Sequence, residues 1–283
     1  MILIQLTDLH CRPHGQPAMR TCETNMLAER AMRAVRNFRP RADAVVITGD
    51  LTDGGTGPEY DEVAAILGRT LLAEGLAVYV IPGNHDRREV LRDRLGHLPG
   101  VLADPEFVQY VVDDLPVRLV MLDTVVPGAA HGVLCPRRLA WLDATLAAAP
   151  DKPTMLGMHH PPFACGIRLM DTINLHEPNA LAAILSKHRQ VRRIICGHHH
   201  RPITAPFGRT IASIAPSVAH QVELTLHSDQ PNQWNLEPAA FDVHIWLPDE
   251  GPDGAIVSHT AYVEPAPGPY PFLAPPEYPG RAL

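Results

Sequence analysis

The sequence predicts an α/β protein with a layered αββα core, and three observations carry that reading. Over residues 1–200, short apolar runs alternate with longer stretches of helical period. The runs are almost continuously hydrophobic instead of alternating, as strands covered on both faces are. Beyond residue 205 the helical stretches stop, and strand-like runs follow one another through polar loops.

Taken in order, the runs are ILIQLTD (2–8), AVVITGD (44–50), AVYVIPGNHD (77–86), RLVMLDT (118–124), TMLGMHH (154–160) and RRIICGH (192–198). Between them, NMLAERAMRAVRNF (25–38), EYDEVAAILGRTLLAEG (59–75) and PRRLAWLDATLAAA (136–149) space their apolar residues as one buried helix face does. DRRE (86–89) reads as an N-cap with a partial capping box, with Asp86 opening a helix over 87–95. GRTIASIAPSVAHQVELTL (208–226), FDVHIWL (241–247) and GAIVSHTAYV (254–263) read as strands. Residues 1–225 then form one core. Residues 226–263 form a small β-rich excursion, a cap or dimer contact that partly returns to the core. Residues 264–283, with seven prolines, form an extended tail.

Composition narrows the function. A net charge of −7 leaves no basic stripe for a nucleic-acid polymer, whereas a small anion is accessible if a metal supplies local positive charge. MILIQLTDLH has no basic leader region and reads as a buried strand, and no apolar run reaches the length of a membrane span. Five cysteines, an odd number with no CxxC pair, point to a reducing cytoplasm and away from a thiolate zinc site. The sixteen histidines are the one compositional hint of metal chemistry.

The strand-like runs end alike. Asp8 and His10 close the first, Gly49-Asp50 the second, Gly83-Asn84-His85-Asp86 the third, His159-His160 the fifth and Gly197-His198-x-His200 the sixth. Parallel strands share a carboxyl edge where ligands bind, so these distant residues converge there. Asp8, His10, Asp50, Asn84, His159, His198 and His200 offer seven donors of carboxylate, amide and imidazole type, suited to Mn, Fe, Zn or Co. That is too many for one tetrahedral ion and fits two divalent or trivalent ions about 3.5–4 Å apart, with Asp50 able to bridge. The glycines before the ligands are expected where the chain leaves a strand and turns sharply. If the backbone of GHHH is extended, His198 and His200 share one side and His199 points away. Asp123 reads as structural, and His160 as orienting its neighbours.

DLH (8–10), GD (49–50), GNHD (83–86), HH (159–160) and GHHH (197–200) together resemble the calcineurin-like metallophosphoesterases. The phrases RADAVVITGD, IPGNHD, MHHPP, CGHHH and SVAHQV bring the likeness closest to the bacterial class III cyclic-nucleotide phosphodiesterases and glycerophosphodiesterases, over roughly residues 1–225. The resemblance implies the four-layer αββα sandwich. It implies that Asp8, His10, Asp50 and His200 hold one ion, and Asp50, Asn84, His159 and His198 a second. A hydroxide between the ions is then the nucleophile, His85 stabilises phosphoryl charge or protonates the leaving alkoxide, and His220 reaches the substrate pocket. The expected substrate is a small phosphodiester, a 3′,5′-cyclic nucleotide or a glycerophosphodiester. The alternatives on the same fold are a phosphomonoesterase or nucleotidase, and a non-catalytic scaffold. The helix-free strands near the C-terminal end leave open edges, from which a homo-oligomer is expected.

Overall fold

In the computed structural model, which describes residues 1–226, 231, 233–251 and 253–270, two β-sheets stack face to face with helices on both outer surfaces. The first sheet is built from β1 (Ile2–Leu6), β2 (Ala44–Thr48) and β3 (Ala77–Ile81), which run parallel, with α1 (Thr24–Asn37) and α2 (Gly57–Arg69) in the connections. The second is built from β5 (Arg118–Met121), β6 (Thr154–Gly157), β7 (Val191–Cys196) and β9 (Thr210–Ile214), also parallel. Antiparallel strands close its two edges, β4 (Tyr110–Val112) and β8 (Ile203–Phe207). α4 (Pro136–Ala147) and α6 (Pro178–Leu185) cover its outer face, and α3 (Arg88–Leu95) packs beside α2.

Period-two alternation assigns each side chain to a layer. Leu119, Met121, Met155 and Ile195 join the cluster of Leu3 and Val46 between the sheets, while Val120, Leu156, Ile194 and Cys196 meet Leu142, Leu146 and Leu181 of the helices. Two polar ties cross the apolar interior. The Tyr110 hydroxyl donates to the Val80 carbonyl at 2.8 Å, and Gln5 Nε2 donates to the Cys196 carbonyl at 2.8 Å. Both ties fix how one sheet is set on the other, because each group is buried and costly to leave unpaired.

The strands stop two to five residues before the apolar runs do, and after β1, β2, β3, β6 and β7 the residues that follow form the site. The segment 226–263, expected to return to the core in part, does so through two strands. β12 (Ala240–Leu247) pairs antiparallel with β1, and β13 (Ala255–Tyr262) pairs with β12, so both extend the first sheet. The open edge of β1 takes them up because Phe241 and Val243 bury in the common core. Among the described residues, only the short hairpin of β10 (Gln221–Val222) and β11 (Trp234–Asn235) lies outside the two sheets. Of the proline-rich tail, residues 271–283 lie outside the described residues. Short β4, β8, α6 and the five-residue α5 (Arg168–Thr172) carry too few periodic positions for the sequence pattern to register them. No helix among the described residues is long and apolar enough to cross a membrane.

Asp86 is not a helix cap. Arg87 precedes α3 without a side-chain cap bond, and Asp86 is instead buried as an acceptor hub. It takes hydrogen bonds from the backbone of Leu51 and Gly83, from Thr52 Oγ1 and from the Tyr60 hydroxyl, at 2.9–3.0 Å. It thereby ties the loop after β2 to the loop after β3. Asp123 is structural: fully buried, it accepts from Arg88 and from the backbone of Val108 and Val125. Removing Arg88 leaves this carboxylate with Arg138 at 3.7 Å as its remaining ion-pair partner. Arg88→Ala is expected to lower the unfolding free energy in urea titration by about 3 kcal/mol, as breaking one side of a buried pair does. A change below about 1 kcal/mol contradicts this assignment.

Candidate metal centre

Five strands deliver the site. Asp8 and His10 follow β1, Asp50 follows β2, Asn84 and His85 follow β3, His159 follows β6, and His198 and His200 follow β7. Because all five are parallel within their sheets, their carboxyl ends meet along one edge of the stacked sheets. Asp8, His10, Asp50, His198 and His200 all adopt left-handed backbone, with φ of 54°, 46°, 47°, 77° and 53°. Each such residue costs on the order of 1–2 kcal/mol, and it persists only where the surroundings dictate it. His198 and His200 therefore share a side through two left-handed turns and not through an extended strand. His199, between them, is buried with its ring 5.3 Å from that of His198 but belongs to none of the candidate ligand groups, and burial pushes its pKa down to about 4.

The glycines serve two different needs. Gly49 has φ +97°, which supplies the turn, and a Cβ there would also fall against His159 Nδ1. A Cβ on Gly83 would fall 2.7 Å from His159 Cε1 and into the Asp50 carboxylate, and one on Gly197 would fall 2.9 Å from the Thr48 carbonyl and 3.0 Å from Asp8 Oδ2. Those two are glycines because the site's walls approach so closely.

The side chains gather into two groups about Asp50. In one, ligand atoms of Asp8, His10, Asp50 and His200 lie within 4.8 Å of one another. His10 Nε2 is 3.6 Å from Asp50 Oδ2, and His200 Nε2 is 3.5 Å from Asp8 Oδ1. In the other, His159 Nε2 is 3.4 Å from Asp50 Oδ2 and 3.1 Å from Asn84 Oδ1, with His198 alongside.

Second partners fix which ring nitrogen is free. His159 Nδ1 donates to the Thr48 carbonyl at 2.8 Å, His200 Nδ1 to the His220 carbonyl at 2.9 Å, and His198 Nε2 to the Ile173 carbonyl at 3.0 Å. His10 Nδ1 donates to Asp53 Oδ1 at 3.2 Å. In neutral rings three of the lone pairs left over point inward: His10 Nε2 faces His200 Nε2 at 3.1 Å, and His159 Nε2 faces the Asn84 and Asp50 oxygens. Acceptors aimed at acceptors in a buried space require a positive charge among them, either protons or metal cations. Oxygen and imidazole donors with orienting partners fit a divalent transition metal.

The charges of the metal-free frame say the same. Burial, with the Asp50 charge, pushes Asp8 up to about 6. Burial works to lower His159, yet the carboxylates of Asp50 and Asp8 hold it at about 9. Burial leaves His198 and His200 neutral, well below the usual histidine range. His160 is not a free donor: Nε2 donates to the Ala130 carbonyl at 3.1 Å and Nδ1 accepts from Thr124 Oγ1 at 2.7 Å.

His85 sits at the mouth, 4.7 Å from the His10 ring, with Nδ1 bonded to the Asp53 carbonyl at 2.8 Å and its backbone N–H donating to Asp50 Oδ1 at 2.9 Å. The His220 ring lies 5.1 Å from that of His10 and 4.6 Å from that of His200. Its Nδ1 has no hydrogen-bond partner, and burial pushes its pKa down to about 3.

Asp53 is the residue that the sequence pattern hides. It accepts from His10, holds Arg12 at 3.2 Å, and offers its carbonyl to His85. Within DLTDGG it looks like an ordinary turn aspartate.

Comparison with known proteins matches residues 1–202 to the calcineurin-like phosphoesterase family. A protein named "Probable glycerophosphodiester phosphodiesterase" from Arcobacter nitrofigilis is 34% identical over 96% of this chain and 97% of its own length. A "Probable cyclic nucleotide phosphodiesterase" from Rhodopseudomonas palustris is 36% identical over 85% of this chain and 86% of its own. Among solved structures, a dimetal phosphatase from Danio rerio superposes with a TM-score of 0.66 at 17% identity, covering 93% of this chain and 96% of that one, a likeness of fold.

Asp53→Ala removes the acceptor that orients His10. Metal titration by calorimetry should show affinity at the His10 cluster reduced about 10- to 100-fold, the usual effect of losing an orienting partner. Unchanged affinity contradicts that role.

Proposed function

This chain belongs to the calcineurin-like phosphoesterase family, and on that premise we propose that it hydrolyses small phosphodiesters at a dinuclear metal centre. The observation that carries the proposal is the set of buried lone pairs converging on both sides of Asp50. Asp8, His10, Asp50 and His200 would hold one ion, and Asp50, Asn84, His159 and His198 the other, with Mn, Fe, Zn or Co the metals such donors suit. Bound there, two cations supply Lewis acidity to phosphoryl oxygens and make water acidic enough to act as a nucleophile near neutral pH.

The chain's own residues do the rest. Asp50 presents one carboxylate to both clusters while its other oxygen accepts the His85 backbone N–H, so its orientation is fixed from behind. His85 donates through Nδ1 to the Asp53 carbonyl, leaving Nε2 at the mouth, from which the imidazolium form would hand a proton to a departing alkoxide and return to the neutral ring. His220, with an unpartnered Nδ1, also lies beside the His10 ring. Of the two substrate classes, the glycerophosphodiesters draw support from a relative aligned over nearly the full length of both chains. The cyclic-nucleotide relative aligns over less of each.

Manganese-loaded protein should hydrolyse bis(p-nitrophenyl) phosphate, and Asp50→Ala should lose about 10³-fold or more in kcat/KM, a barrier increase of about 4 kcal/mol. Activity surviving in a folded Asp50→Ala protein defeats the proposal. His198→Ala and His200→Ala should each lose roughly one of the two ions the centre is built for, read as bound metal after dialysis, while His199→Ala keeps both.

A further inference from the structure

A polar seam runs through the apolar layer between the sheets. Gln5 of β1, Thr48 of β2 and His244 of β12 all contribute to it, and each is fully buried. The strand register places Ser258 of β13 directly opposite His244. These side chains form one unbroken run of hydrogen bonds, and its direction follows from the end that allows no choice. The Cys196 carbonyl can only accept, so the Gln5 atom 2.8 Å from it is the amide nitrogen Nε2, which also donates to Thr48 Oγ1 at 2.9 Å. Gln5 Oε1 therefore faces His244, which supplies the donor, Nε2–H, at 3.1 Å. Burial, with the nearby Arg193 charge, pushes His244 down to about 3. Its ring is neutral, and Nδ1 accepts from the Ser258 hydroxyl at 2.7 Å.

Both groups that Gln5 Nε2 holds stand at the threshold of the proposed centre. Thr48 precedes the Gly49 turn into Asp50, and its carbonyl is the acceptor of His159 Nδ1 at 2.8 Å. Cys196 precedes the Gly197 turn into His198, and its carbonyl also accepts from the Ala215 backbone at 3.0 Å. The two strand ends nearly touch, since a Cβ on Gly197 would fall 2.9 Å from the Thr48 carbonyl. One carboxamide thus ties β2 to β7 just where they deliver Asp50, the acceptor of His159, and His198. Turned over, the amide would set Oε1 against the Cys196 carbonyl, and both strand ends would lose their donor. The His244 N–H holds it the right way round. Stability alone does not call for this seam, because apolar groups of the same shape are nearly neutral or stabilising in such a place.

We infer that His244 is a positioning residue of the metal centre, acting through Gln5 on the ends of β2 and β7. The ligands it governs most are His159 and His198. His10 and His200 depend on it less, because they are oriented by Asp53 and by the His220 carbonyl, which lie outside the seam. The inference rests on the centre proposed above.

The test is calorimetric titration of manganese into the metal-free full-length chain, as wild type, His244→Leu, His244→Gln, Ser258→Ala and Ser258→Thr. The binding step absent from His198→Ala identifies the ion beside His159. Leucine fills the space without a donor, whereas the glutamine amide reaches about as far as the imidazole and still donates. His244→Leu should weaken that ion about tenfold or more, as losing an orienting partner does, and the other ion less than about threefold. His244→Gln should recover most of the lost affinity. The kcat of His244→Leu for bis(p-nitrophenyl) phosphate should fall at limiting manganese and recover at saturating manganese, which a general loss of stability would not produce. Ser258→Ala lets the ring turn its lone pair toward Gln5, and should shift the same ion in the same direction by a smaller factor, with Ser258→Thr at the wild-type level. This pair carries the test if His244→Leu does not fold. Equal weakening of both ions, weakening of neither, or a loss in His244→Gln as large as in His244→Leu overturns the inference. A wild type that binds a single ion counts against the two-ion reading instead, and the inference then stands or falls on whether His244→Leu weakens that one ion.

Discussion

The structure is organised around buried lone pairs that face one another. His10, His159, His198 and His200 each spend one ring nitrogen on a fixed acceptor, and the second nitrogens of His10, His159 and His200 are left close to the carboxylates of Asp8 and Asp50. Such an arrangement is unfavourable without a cation, and the frame must hold it together until one arrives. Five left-handed residues add to that load, on the order of 5 kcal/mol together, against a net stability of about 5–15 kcal/mol for a typical domain. The two-sheet core answers it: a nearly continuous apolar interior with Gln5 and Tyr110 pinning one sheet to the other.

Several features that look local follow from this constraint. Gly83 and Gly197 are glycines because the walls of the centre leave no space for a Cβ. Asp86, far from being a cap, ties the loop of Asp50 to the loop of Asn84 and so keeps the two sides of the centre in register. The loop of residues 163–178 contributes a backbone carbonyl, at Ile173, that holds His198 through Nε2. The Arg88–Asp123 pair extends the same rigidity to the start of α3.

Much of this was legible in the sequence, and its limits were physical. The layered core was legible because parallel strands buried on both faces read as continuous apolar runs. The clustered residues were legible because each ends such a run, and strand direction brings those ends together. Asp53 was not, since a carboxylate in a glycine-rich turn has an ordinary local explanation. Nor were the carbonyls of Thr48, Ile173 and His220, which orient three histidines, because a backbone group has no residue type to betray it. The spare position of His199 was legible, but its cause was not: two left-handed turns, not an extended strand, set it aside. For the strands of 240–262 the partial return to the core was legible, but not its place, because periodicity does not say which edge a strand will pair with, and here the edge of β1 was available.

Two clusters sharing one carboxylate is the central claim, and anomalous scattering at the manganese edge from crystals grown with manganese tests it most directly. The account predicts two peaks about 3.5–4 Å apart, one bounded by His10 and His200, the other by His159 and His198, with Asp50 between them. A single peak, or metal bound away from Asp50, contradicts it.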